Sequence, residues 1–341
     1  MSAEANSARS TDLAGTRAVI IGGGGFIGTH LANDLVLRGA EEVVCADLRD
    51  PRRPVAGARY VRCDVQQPLT HQVPGDFDLC YNLAAVHTTP GHPDHEYYDT
   101  NIFGAMNVLD FCSDREIDTL VFTSTMAVYG PSEEKKTEES VPTPVSAYGK
   151  SKLQAEYLHQ QWANIDSQRR LVIVRPAVIF GTGEGGNYTR LANALKRGVF
   201  FYPGRRDTIK SSGYVKDLVD SIDFALRRAN PIYLYNFCFP DLYTIQDICD
   251  TFAAVSLVRR PLGTVPIGIL KTAALPFELA DKLGIENGIC GERIDKLVLS
   301  TAIVPKRLIE DSYPFPYTLA NALRSWLKSD VDITIDLLPE E

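Results

Sequence analysis

The sequence predicts an α/β protein built on a doubly wound parallel sheet, followed by a smaller, mostly helical substrate domain. Three observations predict it. Short β-branched runs alternate with helical stretches through the first two thirds of the chain. The run Gly22-Gly-Gly-Gly-Phe-Ile-Gly28 stands where the first strand gives way to the first helix. Asp47 closes the second strand, 19 residues after Gly28. Together these place the sheet in the Rossmann-type class.

Each element follows in order. Residues 1–14 are small and polar, and are expected to form a flexible arm. Residues 17–22 read as a buried parallel strand. The next stretch carries Phe26, Ile27, Leu31, Leu35 and Leu37 near one helical face. Further strands are expected at 42–47, 59–63, 78–84, 119–124 and 171–176, with helices at 97–113 and 147–163. Beyond Pro176 the texture changes. Residues 181–186 form a glycine-rich loop, 191–197 and 216–228 read as helices, and 232–237 reads as one more buried strand. From Pro240 the pattern is mostly helical with Pro breaks. The expected division is a nucleotide-binding domain over 15–180, to which 213–240 returns. A substrate domain takes 181–212 and 241–329, and 330–341 is an acidic, mobile tail.

Composition narrows the function classes. The 341 residues are 45% hydrophobic and 23% charged, with a net charge of −8. That balance is globular and argues against a nucleic-acid partner. No uncharged apolar run reaches the ~18 residues of a membrane span, so no membrane partner is expected. The N-terminus lacks the apolar core of a signal peptide. Seven cysteines without a CxxC pair read as reduced thiols, and the chain as cytoplasmic.

The glycine run satisfies two spacings, Gly23-x-Gly25-x-x-Gly28 and Gly22-x-x-Gly25-x-x-Gly28. Both meet one physical need: a tight turn, a backbone that approaches a pyrophosphate, and a helix packed on its strand. Gly22, Gly25, Phe26, Ile27 and Gly28 are the candidate cofactor contacts. An acidic residue at Asp47 accepts hydrogen bonds from an adenosine ribose and repels a 2′-phosphate, which favours NAD over NADP. Arg49 nearby weakens that preference. Asp64, ending the third strand, suits either the adenine amino group or a turn cap.

Tyr148 and Lys152 form the second anchor, four residues apart on one helical face. An unperturbed tyrosine with a pKa of ~10 is a poor base at neutral pH. A neighbouring ammonium and a positive nicotinamide ring lower that value, so the phenolate can take a proton as hydride leaves. A hydroxyl at a strand end should complete the set, and Thr123-Ser124-Thr125 supplies candidates. A YxxxK pair alone would be an ordinary half-exposed helix.

With these residues in hand, the chain resembles the extended short-chain dehydrogenase/reductase family, and within it the NAD-dependent epimerase/dehydratase branch acting on nucleotide sugars. The glycine run, Leu83-Ala84-Ala85, Asn101, Thr123-Ser-Thr-Met-Ala-Val-Tyr-Gly130 and Tyr148-Gly-Lys-Ser-Lys152 carry the resemblance, over about residues 17–240. It implies NAD as cofactor, a nucleotide-sugar substrate between the two domains, and a homodimer built through two helices per subunit. It puts the catalytic hydroxyl on Thr125, the acid/base on Tyr148 and the nicotinamide-ribose contact on Lys152. It adds Leu83, Ala84, Ala85 and Asn101 to the cofactor site and Ser124 to the substrate site.

The departures discriminate between reactions. The dehydratases of this resemblance carry Asp-Glu after the catalytic hydroxyl, and the decarboxylases a Glu. Here Met126-Ala127 stands there, which transfers no protons. Carbinol oxidation and ketone reduction remain. The leading expectation is an epimerase that oxidises the sugar at C4 and returns the hydride. Alternatives are a 4-ketoreductase or dehydrogenase, a 3β-hydroxysteroid dehydrogenase-like enzyme, and a non-catalytic NAD-binding protein. An Asn that contacts the sugar diphosphate in many epimerases is replaced by Val178. Asn187, Lys210 and Arg293 fall on other substrate contacts of that resemblance, and a diphosphate needs such cations.

His87, His92 and His95 lie close together, but without a supporting carboxylate or Cys cluster no metal is assigned. His87 is instead expected at the substrate. Glu133-Glu-Lys-Lys136 and Glu138-Glu139 read as a solvated charged loop.

Overall fold

The computed structural model describes residues 13–88, 91–272, 298–330, 335 and 337. Seven strands form one parallel sheet: β1 (Arg17–Ile21), β2 (Glu42–Asp47), β3 (Arg59–Arg62), β4 (Leu79–Asn82), β5 (Thr119–Thr123), β7 (Arg170–Pro176) and β11 (Ile232–Phe237). Their order is β3-β2-β1-β4-β5-β7-β11, all neighbours parallel. The order reverses between β1 and β4, and ligands of such sheets bind beyond the strand ends at that point.

Both faces of the sheet are covered, which is why its central strands are apolar on nearly every residue. Ala18 and Ile20 face one core, with Leu31 and Leu35 of α1 (Phe26–Leu37), Leu218 and Ile222 of α6 (Val215–Leu226) and Leu308 of α8 (Lys306–Glu310). Val19 and Ile21 face the other, with Val108 and Cys112 of α3 (Gly104–Asp114) and Ala155 and Trp162 of α4 (Ala147–Ile165). A third core lies in the C-terminal part. There Phe180 stacks on Tyr188 of α5 (Asn187–Arg197), and Trp326 of α9 (Leu319–Ser329) meets Phe252 of α7 (Ile245–Val255).

Three expectations change. Leu13 belongs with the fold rather than the arm: its N–H donates to the Arg38 carbonyl at 3.1 Å and it packs on the first core. The charged run at 132–136 is a strand, β6 (Ser132–Lys136), paired in parallel with β13 (Thr301–Ile303). Glu138 just after it is half-buried. It accepts from the backbone N–H of Asn236 at 2.8 Å, and burial pushes its pKa up. The expected acidic tail does not begin free: Asp330 is buried and accepts from Arg53, from the Gly183 N–H and from the Trp326 indole. Ile335 is buried in the third core, and Leu337 bridges to Ser256.

Candidate active site

The glycine loop begins at Gly22, whose φ of +83° suits a residue without a side chain. A Cβ there would also stand 2.8 Å from the Ala84 backbone nitrogen. The loop therefore lies directly on Leu83, Ala84 and Ala85, and the Leu83 N–H donates to the Ile21 carbonyl at 2.8 Å. Gly25 caps α1 without a side chain, so the first amides of the helix, Phe26 and Ile27 among them, point outward unpaired. Gly28 is buried against the loop. A helix terminus of this kind suits an anion. At the end of β2, Asp47 accepts from the Gly24 N–H and the Arg49 N–H, both at 3.0 Å. These bonds hold the carboxylate on the wall of a small cavity shared with Arg49, Tyr60 and Arg62.

The second wall comes from β5 and α4. Ser146 caps α4 by accepting from the Gly149 N–H at 3.1 Å. Gly149 is required because the Ala127 carbonyl oxygen would sit 2.5 Å from any Cβ. That contact seats the start of α4 on the 3-10 turn Met126–Tyr129, and so brings Tyr148 to Thr125. The Thr125 hydroxyl lies near enough to the Tyr148 phenol to lower its pKa. Burial raises the Tyr148 pKa above its ordinary value and the Thr125 hydroxyl opposes it, so the phenol keeps its proton in the protein alone. Lys152, one turn on, is buried with its Nζ 4.1 Å from the Phe122 ring centre. Burial lowers its pKa to about 7, against the pull of the Glu156 carboxylate.

The structure sorts the remaining expectations. The Ser124 hydroxyl is engaged within the protein. Ser124, just beyond the end of β5, is buried and donates to Glu156. Glu156 is itself bidentate with Arg175, at 2.9 and 2.6 Å. Asn101 is buried and tied to its neighbours. It stands on a π turn (Asp99–Phe103), accepts from the Val86 N–H at 2.9 Å and donates to the Val86 carbonyl and to Ser151. Asp64 takes the turn role, accepting from the Gln66 N–H at 3.0 Å. His87 is exposed on the loop after β4, close enough to Lys152 to feel its charge. Asn187 is exposed and accepts from Arg190 at 2.8 Å. Lys210 donates to the Leu299 carbonyl at 2.7 Å, and burial lowers its pKa to about 8. Val178 sits in β8 (Val178–Phe180), paired with Ser212 of β10 (Ser212–Tyr214). Arg293 lies outside the described residues. Of the histidine group, His92 pairs with Glu96 at 2.7 Å. Among the described residues no three His, Cys, Asp or Glu converge on a metal position.

Sequence reasoning missed two participants, Tyr97 and Glu156, and named Thr123 only among the hydroxyl candidates. Tyr97 of α2 (Asp94–Tyr98) is buried beside Tyr148, with ring centres 6.3 Å apart, and ties down the Thr88 carbonyl. Thr123, the last residue of β5, has a buried hydroxyl without a partner among the described residues. Glu156 continues the Tyr148–Lys152 spacing by four residues, a signal present in the sequence.

The glycine cradle, the outward helix amides and the unpartnered Thr123 hydroxyl fit a dinucleotide. Lys152 fits it as well: its ammonium has donors to spare for ribose hydroxyls. The profile of the NAD dependent epimerase/dehydratase family matches residues 18–236, more than half of the chain. The chain belongs to that family. NAD is accordingly its cofactor. Within the family's reach, the chain is 28% identical over 322 residues to the N-acetyl-alpha-D-glucosaminyl-diphospho-ditrans,octacis-undecaprenol 4-epimerase of Escherichia coli O157:H7. That match covers 89% of this chain and 92% of the relative. It is 29% identical over 278 residues to the UDP-glucose 4-epimerase of Azospirillum brasilense, covering 73% and 80%. Its fold is similar to that of the Thermus thermophilus UDP-glucose 4-epimerase in complex with NAD, with a TM-score of 0.68 at 20% identity over 92% and 98% of the two chains.

Proposed function

We propose that this family member is an epimerase of a nucleotide-linked sugar, inverting C4 by transient oxidation and hydride return. One observation carries the reading. Thr125, Tyr148 and Lys152 stand together at the strand ends, and the positions after Thr125 are Met126 and Ala127, with no second acid or base. Such a site can move one proton and one hydride reversibly, and it lacks the groups for elimination or decarboxylation.

When bound, NAD supplies the hydride acceptor and then the donor. Thr125 holds the reacting hydroxyl, and Tyr148 takes its proton as the carbinol is oxidised and returns it on reduction. Lys152 holds the nicotinamide ribose, and its charge stabilises the phenolate once Tyr148 is deprotonated. Lys210 is the cation for the diphosphate.

The same proposal includes a homodimer through α3 and α4. Phe103 and Met106 at the start of α3 and Tyr157 on α4 are exposed apolar side chains on that side of the sheet. The six described cysteines are free and buried, in keeping with a reducing, cytoplasmic setting.

A second reading concerns the carrier. The E. coli relative is named for a sugar on an undecaprenyl diphosphate and is matched over nearly its whole length. A polyprenyl diphosphate keeps the same sugar and the same diphosphate.

The test is to purify the protein without added nucleotide, denature it and identify what is released. Near-stoichiometric NAD is expected. The protein is then offered UDP-, dTDP-, GDP- and CDP-sugars and a polyprenyl-diphospho-N-acetylhexosamine, with C4 inversion followed by proton NMR. An empty protein that exchanges reduced cofactor freely and inverts none of these would replace the epimerase with a ketoreductase.

A further inference from the structure

Two segments of the C-terminal part break the charge rule of the chain. Residues 194–206 contain Lys196, Arg197, Arg205 and Arg206, and residues 256–271 contain Arg259, Arg260 and Lys271. Neither contains an Asp or Glu, although the whole chain is at −8. Arg205 is committed to Glu133 and Asp207, at 2.8 and 3.0 Å, and does not count toward the surface.

The fold lays the two segments side by side. The Arg259 N–H donates to the Leu195 carbonyl at 3.2 Å and the Leu262 N–H to the Phe200 carbonyl at 3.0 Å. Strand β9 (Tyr202–Pro203) then pairs in parallel with β12 (Thr264–Val265). Alternation along 199–202 sends Phe200 and Tyr202 inward, edge to face at 5.9 Å, and Val199 and Phe201 outward. Val199 is 58% and Phe201 44% exposed, and Leu262 beside them is 63% exposed. Leu257 and Ile269, which flank the second segment, are 63% and 60% exposed. Large apolar side chains and exposed arginines are thus interleaved on one region of the molecule.

We propose that this region docks on the surface of an anionic lipid bilayer, with Phe201 and Leu262 entering the headgroup boundary and Arg197, Arg259 and Arg260 meeting lipid phosphates. Charge complementarity selects the occupant. A second copy would set this cationic face against itself, as a two-fold contact requires. A nucleic acid would satisfy the arginines and leave the aliphatic side chains in water. A bilayer satisfies both. Lying on a bilayer needs no membrane-crossing helix, and none is present among the described residues. The docking stands whichever carrier the substrate uses. A docked bilayer would bring a lipid-anchored diphosphate to the part of the chain that holds Lys210, seven residues beyond Pro203.

The test is vesicle co-sedimentation of the full chain with pure phosphatidylcholine and with phosphatidylcholine containing about a quarter phosphatidylglycerol. Binding to the anionic vesicles should exceed binding to the neutral ones by roughly tenfold and fall as salt is raised. Arg259→Glu/Arg260→Glu should lower it roughly tenfold, and Phe201→Ser/Leu262→Ser should lower it at fixed salt. Both variants should keep their NAD content, which reports folding apart from docking. Equal binding to both vesicle types, no binding to either, or binding untouched by both variants overturns the proposal. So does displacement by duplex DNA at equal affinity, which would make the face a general polyanion site. If Phe201→Ser/Leu262→Ser turns a dimer into a monomer in light scattering and leaves vesicle binding alone, the face is a subunit interface and the proposal fails.

Discussion

Replacing Glu156 by Gln removes one charge from the most enclosed polar network of the molecule. Glu156 is fully buried and Arg175 is 4% exposed. The carboxylate takes two hydrogen bonds from Arg175 and one from Ser124. Arg175 continues the network to Tyr129 at 2.8 Å, and Tyr129 to Asn236 at 2.8 Å. Breaking a buried pair from one side leaves an uncompensated guanidinium, which costs about 3–5 kcal/mol. With an unfolding entropy near 2.1 cal/mol/K per residue, a chain of this length changes by roughly 0.7 kcal/mol per degree at its midpoint. The expected fall in Tm is therefore about 4–7 °C, read by calorimetry on the NAD-loaded protein. The double variant Glu156→Met/Arg175→Met removes both charges together and should recover at least half of the loss, because the desolvation cost disappears with the pair. The second readout is the pH–rate profile. Glu156 holds the Lys152 pKa up. Its loss moves the neutralisation of Lys152 to lower pH, and the alkaline limb of kcat should begin earlier. A Tm change under about 1 °C for Glu156→Gln, or a double variant as unstable as the single one, would refute the reasoning.

Four further outcomes follow from the same geometry. Tyr148→Phe should lower kcat by at least about a hundredfold and leave NAD content unchanged; turnover at the parent's rate would remove Tyr148 from the acid/base role. Gly22→Ala should abolish NAD retention, because the positive φ and the Ala84 backbone both oppose a side chain, whereas Gly39→Ala, at φ +79° with open space around it, should retain NAD. Asp47→Ser should relax the preference against NADP in cofactor-binding titrations, and an unchanged preference would pass the role to Arg49. Asp217 is buried, and burial raises its pKa from 3.8 to about 7 against the Tyr313 hydrogen bond. The folded state therefore keeps a proton that the unfolded chain releases, so stability falls as pH rises from about 4 to about 7. Asp217→Asn should match the parent below that window in urea titrations and exceed it at pH 8.

The main sheet was legible because its central strands are buried on both faces and each carries its own apolar run. The glycine loop, Asp47 and the Tyr148–Lys152 pair were legible because strand, turn and helix impose fixed spacings on them. β6 was not: Ser-Glu-Glu-Lys-Lys has no strand pattern, and its partner β13 lies far along the chain. The bond from Ser124 to Glu156, 32 residues on, was not legible because it follows from the packing of α4 on the end of β5. Asn101 owes its aim to a π turn, which shifts a helical side chain without any mark in residue type. Asn187 and Lys210 were placed by spacing alone. Asn187 meets Arg190 three residues on in α5, and the Leu299 carbonyl that takes Lys210 follows from tertiary packing.

Asp330 gives the C-terminal helix a hold on the opposite part of the molecule. Its carboxylate accepts from the Trp326 indole at 3.0 Å, from the Gly183 amide at 2.9 Å and from Arg53 at 3.2 Å. Arg53 belongs to the loop that leaves β2 just beyond Asp47 and Arg49. The end of α9 and the adenosine side of the cofactor cavity are thereby joined through two side chains. Linkage makes such a junction work in both directions. Whatever orders the loop after Asp47 also tightens the seat of α9, and whatever loosens α9 withdraws support from the loop. The seat of α9 and the loop beyond Asp47 are then one mechanical unit, held at Asp330.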